Sequence, residues 1–145
     1  MPPPVHRPIG LTLSRTSKAV SRAFDARLAT AGGSLPIWLV LLSLHTQQLG
    51  NQRELAAAVG IQGATLTHHL NAMESDGLIT RRRDPANRRV HLVETTPAGE
   101  ALFLKLRDAA VEHDVRLRAG LSTEDQATLA ELLDRMHANV SDSDG

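Results

Sequence analysis

Two adjacent histidines, His68 and His69, lie near the middle of the chain in the stretch TLTHHLNAMESDGLI. Histidine serves both as a metal ligand and as a general base. Metal ligands on one helix are spaced three or four residues apart so that they share a face, whereas adjacent residues point about 100° apart. The sequence has no HxxH or HxxxH pattern among its seven histidines and no cysteine. We therefore expect no metal and no cofactor, and we keep a metal-responsive regulator as an alternative.

Catalysis would need an acid, a base or a nucleophile brought together at one place. The absence of cysteine excludes thiolate chemistry and disulfide bonds. The sequence also lacks a GxSxG motif, a phosphate-binding glycine loop and an evident pair of carboxylates. We expect no catalytic residue and no enzyme activity.

Arginines form the second feature with chemical potential, because RRRDPANRR, from Arg81 to Arg89, holds five arginines and one aspartate. The formal net charge of the whole chain is zero, so this segment is a local concentration of positive charge. A guanidinium pairs with phosphate through two hydrogen bonds and fits a narrow minor groove. A clustered basic segment predicts contact with nucleic acid, and a solvated loop is the alternative.

The elements that must position these residues are mostly helices. Because aromatic residues make up only 2% of the chain, the core must be built from aliphatic side chains, which suits packed helices. Capping residues and glycine stops predict helices over residues 11–31, 34–47, 51–59, 62–75, 97–119 and 122–140. Strands are predicted over Leu78–Arg83 and Arg88–Thr95, with turn residues between them.

The two short helices joined by Gly60 and Ile61 have the spacing of a helix-turn-helix, and the hairpin that follows would be its wing. The segments ELAAAVGIQGATLTHHLNAMESDGLI and RRRDPANRRVHLVETTPAG resemble the helix-turn-helix and the wing of the MarR family of bacterial transcription regulators. The flanking helices resemble its dimerisation region, so the resemblance runs from about Leu11 to Val140. The expected fold is mainly α with a small β-hairpin wing, a winged helix-turn-helix plus a helical dimerisation region.

The resemblance implies a homodimeric DNA-binding repressor. It would bind double-stranded DNA at a pseudo-palindromic operator and leave it when a small phenolic or anionic effector enters a pocket between the two parts. Arg89 matches the wing-tip arginine of the family, while Asn87 stands where the family commonly has an acidic residue, which implies a different support for that arginine. A winged helix that binds only other proteins is the alternative, although so many arginines disfavour it.

The implied organisation is one domain over residues 10–140, with disordered tails at residues 1–9 and 141–145. Its dimerisation helices would occupy residues 10–47 and 97–140, and the DNA-binding lobe residues 48–96. The start MPPPVHRPIG has no long apolar run, and the longest apolar stretch, LPIWLVLLSL, is too short to cross a bilayer. We expect a soluble cytoplasmic protein with no membrane partner.

Helical geometry predicts which side of the second short helix reads DNA. An advance of 100° per residue places Leu66, Leu70 and Met73 on one buried stripe and the small polar residues opposite, with His69 on the flank. Such a face fits the major groove, where asparagine can pair with adenine. The expected DNA contacts on this helix and the wing are Gln62, Ala64, Thr65, Thr67, His68, Asn71, Arg81, Arg83, Arg88 and Arg89. The remaining wing arginine would form an ion pair, with Asp84 as the expected acid.

Four residues are candidates for the effector pocket, namely Trp38, Leu42, His45 and His113. Ligand pockets are mostly apolar with a few polar groups, which matches their types. The alternative for each is a plain core position, and for each histidine a core ring with one satisfied hydrogen bond.

Overall fold

The protein is described by a computed structural model that covers residues 7–47 and 50–141. Its helices are α1 (Ile9–Thr30), α2 (Leu35–Gln47), α3 (Gln52–Val59), α4 (Gly63–Ser75), α5 (Pro97–Leu117) and α6 (Thr123–Ser141). Its strands are β1 (Gly50–Asn51), β2 (Ile79–Arg83) and β3 (His91–Thr95). This order confirms the expected fold class, a mainly helical chain with a β wing directly after a pair of short helices.

Local sequence sets the ends of the helices. Asn51 caps α3, since its Oδ1 accepts the backbone N–H of Glu54 at 2.8 Å. Before α6 the backbone N–H of Ser122 donates to the Asp125 carboxylate, and the backbone N–H of Asp125 donates to the Ser122 hydroxyl, each at 3.0 Å. This reciprocal pair is a capping box, as expected from the sequence.

The sheet differs from the expected two-stranded hairpin in two respects. It has a third strand, β1, which pairs antiparallel with β3 and gives the order β1-β3-β2. Two residues are too few to show an alternating pattern, so β1 left no signal in the sequence. The second strand of the hairpin begins at His91 and not at Arg88, because residues 84–90 close the hairpin through their own hydrogen bonds.

The core lies around α2, which packs against α1, α3, α4 and the strands β1 and β3. Val40, Leu41 and Leu44 are buried on this helix, as its apolar sequence predicts. The turn between α3 and α4 depends on Gly60, whose φ of 73° lies in the left-handed region that favours glycine. Both short helices, α3 and α4, pack against α2.

The chain divides into two compact units, one ending at His113 and the other beginning at Asp114. In the second unit α6 has no buried residue. The single domain expected over residues 10–140 stays a prediction. Ile9 and Ser141, which were expected in the tails, are helical, and residues 1–6, 48–49 and 142–145 lie outside the described residues. Within residues 7–47 and 50–141 no single helix has the length and apolarity of a membrane span, although α1 and α2 together, bent by 76°, meet that test by composition.

Candidate DNA-binding surface

The helix α4 has the buried and exposed faces that its sequence predicts. Leu66, Leu70 and Met73 have at most 1% of their surface exposed. His68 is exposed on the opposite side and His69 is half-buried on the flank, with their rings 5.8 Å apart at 62°. The other expected contact residues on the solvent side of this helix are Gln62, Ala64, Thr65 and Asn71, and all four are exposed.

Thr67 is more constrained than the sequence indicates. Its hydroxyl donates to the backbone carbonyl of Gly63 at 2.9 Å and accepts from the Gln52 side chain at 2.5 Å. A hydroxyl has one hydrogen, so that donor is already committed. Gln52, at the start of α3, was not among the expected site residues, since this contact requires the two helices to be packed together. Thr67 can therefore offer a methyl group and one remaining acceptor, but not a donor.

Arg81 on β2 turns toward α4 and forms a network with two residues of that helix. Its Nη2 donates to Glu74 Oε1 at 3.1 Å and to Asn71 Oδ1. Its backbone N–H donates to Glu74 Oε2 at 3.0 Å. The side chain of Arg81 is 17% exposed, whereas that of Arg82, which is also in an ion pair, is 53% exposed. The network links the wing to the exposed face of α4.

The prediction that a wing arginine pairs with Asp84 is wrong. The wing arginines instead use acids from other elements, Glu74 for Arg81 and Glu94 for Arg82 at 3.0 Å. Asp84 is occupied by the loop, since its Oδ1 accepts the backbone N–H of Ala86 at 2.9 Å. An aspartate at this position satisfies a tight turn, as short polar side chains do, and is not placed to hold a guanidinium.

The wing loop, residues 84–90, is ordered by its own polar groups. Asn87 Oδ1 accepts the backbone N–H of Arg89 at 3.2 Å, so the Asn87 amide supports the loop at Arg89. Arg83 Nη1 donates to the backbone carbonyl of Arg88 at 3.1 Å. Arg88 and Arg89 are exposed in this loop, and among the described residues neither side chain makes an ion pair. They were expected in a strand, but the loop position leaves both guanidinium groups available.

The four pocket candidates fall into two groups. Trp38 and His45 both stack on Phe103, with ring centroids 5.6 and 4.2 Å away. Leu42 is half-buried and packs against the core. His113 stacks on Phe24 at 4.9 Å, and α5 carries it about 15 Å along the helix axis from Phe103. The candidates therefore do not converge on one place.

Neither histidine has the surroundings of a satisfied core ring. His45 is not a core residue, because 49% of its side chain is exposed at the end of α2, with Nδ1 3.8 Å from Glu100. His113 is buried, but its Nδ1 has no hydrogen-bond partner among the described residues. Across that same part of the chain, no three histidine, aspartate or glutamate side chains come together in a group that could hold a metal ion.

The network around Arg81 predicts an acid-dependent contribution to stability. The hydrogen bond from the Arg81 side chain lowers the pKa of Glu74 below its ordinary value of 4.5. Desolvation of the Glu74 carboxylate opposes this change, whereas the positive charge and the backbone N–H of Arg81 add to it. A carboxylate with a lowered pKa favours the folded state above its ordinary pKa, and that preference is lost as the pH falls through the lowered value. Glu74→Gln is expected to unfold at a lower urea concentration than wild type at pH 7, with the difference closing in the acid range.

Urea midpoints from pH 7 to pH 3 measure this effect. In an Arg81→Ala background the same Glu74→Gln substitution should change the midpoint much less, because only the backbone N–H of residue 81 remains as a partner. A difference between wild type and Glu74→Gln that stays constant over the whole pH range would contradict the pairing.

Comparison with known proteins places this surface in context. Residues 34–91 match the model of the MarR family. A putative transcriptional regulatory protein for the hcr operon of Thauera aromatica is 28% identical over 136 residues, which covers 93% of this chain and 82% of that protein.

Solved structures agree over nearly the full length. A probable transcriptional regulator from Pseudomonas aeruginosa is 30% identical with a TM-score of 0.75, and the match covers 88% of this chain and 96% of that one. The transcriptional repressor CouR, bound to a 23-mer DNA duplex, is 29% identical with a TM-score of 0.79 and covers 88% and 91%. These relatives are regulators and not enzymes. The winged helix-turn-helix and these matches together show that the chain belongs to the MarR family and is a DNA-binding transcription regulator.

Proposed function

We propose that the protein is a homodimeric repressor that binds a pseudo-palindromic operator in double-stranded DNA and leaves it when a small aromatic or anionic effector binds. The observation that carries the proposal is the exposed polar face of α4 together with two exposed arginines, Arg88 and Arg89, in the wing loop. The similar protein CouR is a repressor bound to a DNA duplex 23 nucleotides long. At 3.4 Å per base pair such a duplex is about 78 Å long, which is enough for two recognition helices one turn apart.

In this proposal α4 lies in the major groove. The start of α4 approaches the DNA first, with Ala64 and Thr65 in its first turn. Gln62 lies just before them, and its side chain makes no capping hydrogen bond. His68 and Asn71 follow one and two turns further along the same exposed face. Small residues at the leading end allow the helix to approach base edges closely within a groove about 12 Å wide.

The wing supplies phosphate or minor-groove contacts. Arg88 and Arg89 are the exposed guanidinium groups of its loop, and Arg83 steadies that loop through the Arg88 carbonyl. Such contacts add affinity without base preference, because every nucleotide has the same phosphate. Arg81 acts differently, through its contacts to α4.

Dimerisation is supported by large apolar side chains that the protomer leaves exposed. On α6 Leu129, Leu132 and Leu133 are 49%, 45% and 39% exposed, and helical geometry places them on one side. On α1 the exposed apolar residues are Ile9, Leu11 and Leu13. An exposed apolar face such as that of α6 marks an interaction site, and symmetric homodimers are the commonest oligomers of soluble proteins.

For the effector, the aromatic cluster around Phe103 is the favoured place. Trp38 and His45 stack on that ring, and the half-exposed His45 offers a polar ring at its edge. A planar aromatic molecule with a negative or phenolic group suits stacking surfaces and a histidine together. Leu42 would line the same place, whereas His113 lies too far along α5 to join it.

Arg89→Ala and His68→Ala are expected to weaken DNA binding in different ways. Loss of the wing guanidinium should lower affinity on all sequences about equally and reduce the slope of log K against log salt by about 1. Loss of the His68 ring should change which base is preferred at one position of each half-site. Fluorescence anisotropy on duplexes selected from a random pool, titrated at several salt concentrations, measures both effects.

Lys105→Ala is the matched control for the charge lost in Arg89→Ala, because Lys105 lies on α5 outside the winged helix-turn-helix. Its salt slope should equal that of wild type. A salt slope equally reduced in both variants would mean that only total charge matters. Base preference identical in wild type and His68→Ala would remove His68 from the reading face.

A further inference from the structure

The side-chain amide of Asn71 has one fixed orientation. Arg81 Nη2 lies at hydrogen-bond distance from one end of this amide. A guanidinium has only donors, so the atom facing it must be the carbonyl oxygen Oδ1, and the NH2 group must point the other way. Asn71 is exposed on the reading face of α4, and among the described residues its Nδ2 donates to no partner.

The position of Arg81 is fixed by other contacts. Its side chain is held by Glu74 Oε1 and its backbone N–H by Glu74 Oε2. The rest of its backbone is fixed in β2, where Arg81 pairs with Val93 of β3. Glu74 lies three residues after Asn71 on the same helix, so both partners of Arg81 share one side of α4. The amide orientation is thus set by the sheet and the helix together.

This orientation conflicts with the adenine pairing expected from the sequence. An asparagine that binds adenine accepts from N6 through Oδ1 while it donates to N7 through Nδ2. Arg81 takes one of the two lone pairs of Oδ1 and holds that oxygen toward β2, so the group that Asn71 presents away from Arg81 is the Nδ2 donor. In the major groove guanine offers two neighbouring acceptors, N7 and O6, whereas adenine offers one acceptor beside a donor.

We propose that Arg81 is a positioning residue that turns Asn71 into a hydrogen-bond donor and so makes it select guanine over adenine in each operator half-site. The inference rests on the proposed operator binding and names the specificity of that same surface. The N6 amino group of adenine would face the Asn71 amino group, donor against donor. The rejection of adenine therefore comes from that unpaired contact as much as from the better fit of guanine.

The test starts from operators selected by the full-length wild type from a random DNA pool. Asn71→Ala identifies the base pair read by Asn71, as the position whose preference it abolishes. Duplexes with guanine or adenine at that position in both half-sites are then compared by anisotropy. Wild type should prefer guanine by about tenfold, within the range for one well-formed base contact. Arg81→Ala frees the amide to rotate and should reduce that preference to less than about threefold or reverse it toward adenine.

Arg82→Ala is the matched control, since it removes the same charge from the neighbouring position but its partner is Glu94 on β3. It should keep the guanine preference of wild type. If Arg81→Ala does not fold, as judged by its thermal midpoint, Asn71→Asp decides the question. A carboxylate keeps one oxygen on Arg81 and presents the other as an acceptor, so guanine preference should be lost in favour of cytosine or adenine, which present amino donors.

Two results overturn the inference while leaving operator binding intact. One is a wild-type preference for adenine at the position read by Asn71, and the other is guanine preference retained in either Arg81→Ala or Asn71→Asp. A wild type that selects no sequence from the pool would instead refute the proposed function itself.

Discussion

Gly99→Ala is expected to destabilise the protein by about 3 kcal/mol, the upper end of the range for an overpacked site. For a chain of this size that corresponds to a Tm lower by roughly 10 °C. Helix propensity alone predicts the opposite sign, because alanine inside a helix is favoured over glycine by about 1 kcal/mol. The expected loss comes from tertiary contact, since a Cβ at this position would lie 2.1 Å from the backbone oxygen of Leu78 and 2.7 Å from Thr95 Cγ2.

The Leu78 oxygen cannot retreat without breaking other contacts. It accepts the backbone N–H of Thr96 at 3.1 Å, which ties the entrance of β2 to the start of α5. The Thr96 hydroxyl donates to the carbonyl of Gly77 at 2.6 Å and accepts the backbone N–H of Gly99 at 3.1 Å. Five hydrogen-bonding groups, joined by three hydrogen bonds, therefore meet around the site where the added methyl group would have to fit.

Thermal unfolding followed by circular dichroism measures this effect. Gly10→Ala is the matched control, because Gly10 is also near the start of a helix and an added Cβ there meets nothing within 4 Å. That variant should be as stable as wild type or slightly more so. An unchanged or higher Tm for Gly99→Ala would show that the junction relaxes without cost.

The double variant Leu129→Glu, Leu132→Glu is expected to be a monomer and to lose DNA affinity by about a hundredfold or more. Two charges on the exposed apolar side of α6 would have to be buried in the proposed dimer interface, where an unpaired charge is strongly unfavourable. In the proposed dimer two recognition helices bind the operator together, so separation of the protomers would remove the advantage of linked sites. Within the second unit these leucines also line a surface groove with Leu121, which extends the apolar face.

Light scattering checks the assembly, and anisotropy with the selected operator checks the affinity. Wild type should have twice the protomer mass of 15.7 kDa, and the double variant the protomer mass. The matched control is Ala127→Glu, Ala138→Glu, which adds the same charge on the opposite side of α6 at exposed positions. A dimeric Leu129→Glu, Leu132→Glu protein, or a wild type already monomeric at micromolar concentration, would contradict the proposed interface.

The elements of this fold are set by short-range patterns, which is why the sequence predicts them. The stripe formed by Leu66, Leu70 and Met73 recurs at the helical period and is completely buried. Asn51 and the pair Ser122 and Asp125 cap the helices that they were expected to cap. Each of these signals lies within one or two turns of chain, where backbone geometry alone brings the residues together.

What a side chain does at the surface depends on residues that only the folded chain brings near. Arg81 lies seven and ten residues from Glu74 and Asn71, on a different element, and the sequence alone favoured Asp84 as the partner of a wing arginine. The two-residue strand β1 is likewise formed by pairing with β3 some forty residues later. His45 is half-exposed near the C-terminal end of α2, although α2 lies at the centre of the core.

The sequence by itself therefore determined the winged helix-turn-helix and which side of α4 is exposed, because periodicity and capping are local properties of the chain. Only the tertiary structure decided the direction in which the Asn71 amide points and the tolerance of position 99 for a side chain. Both depend on contacts between elements, the guanidinium of β2 against α4 and the backbone of Leu78 against α5. The proposed base selection is one such property, because the contact of Arg81 with Oδ1 determines which end of the Asn71 amide is presented to DNA.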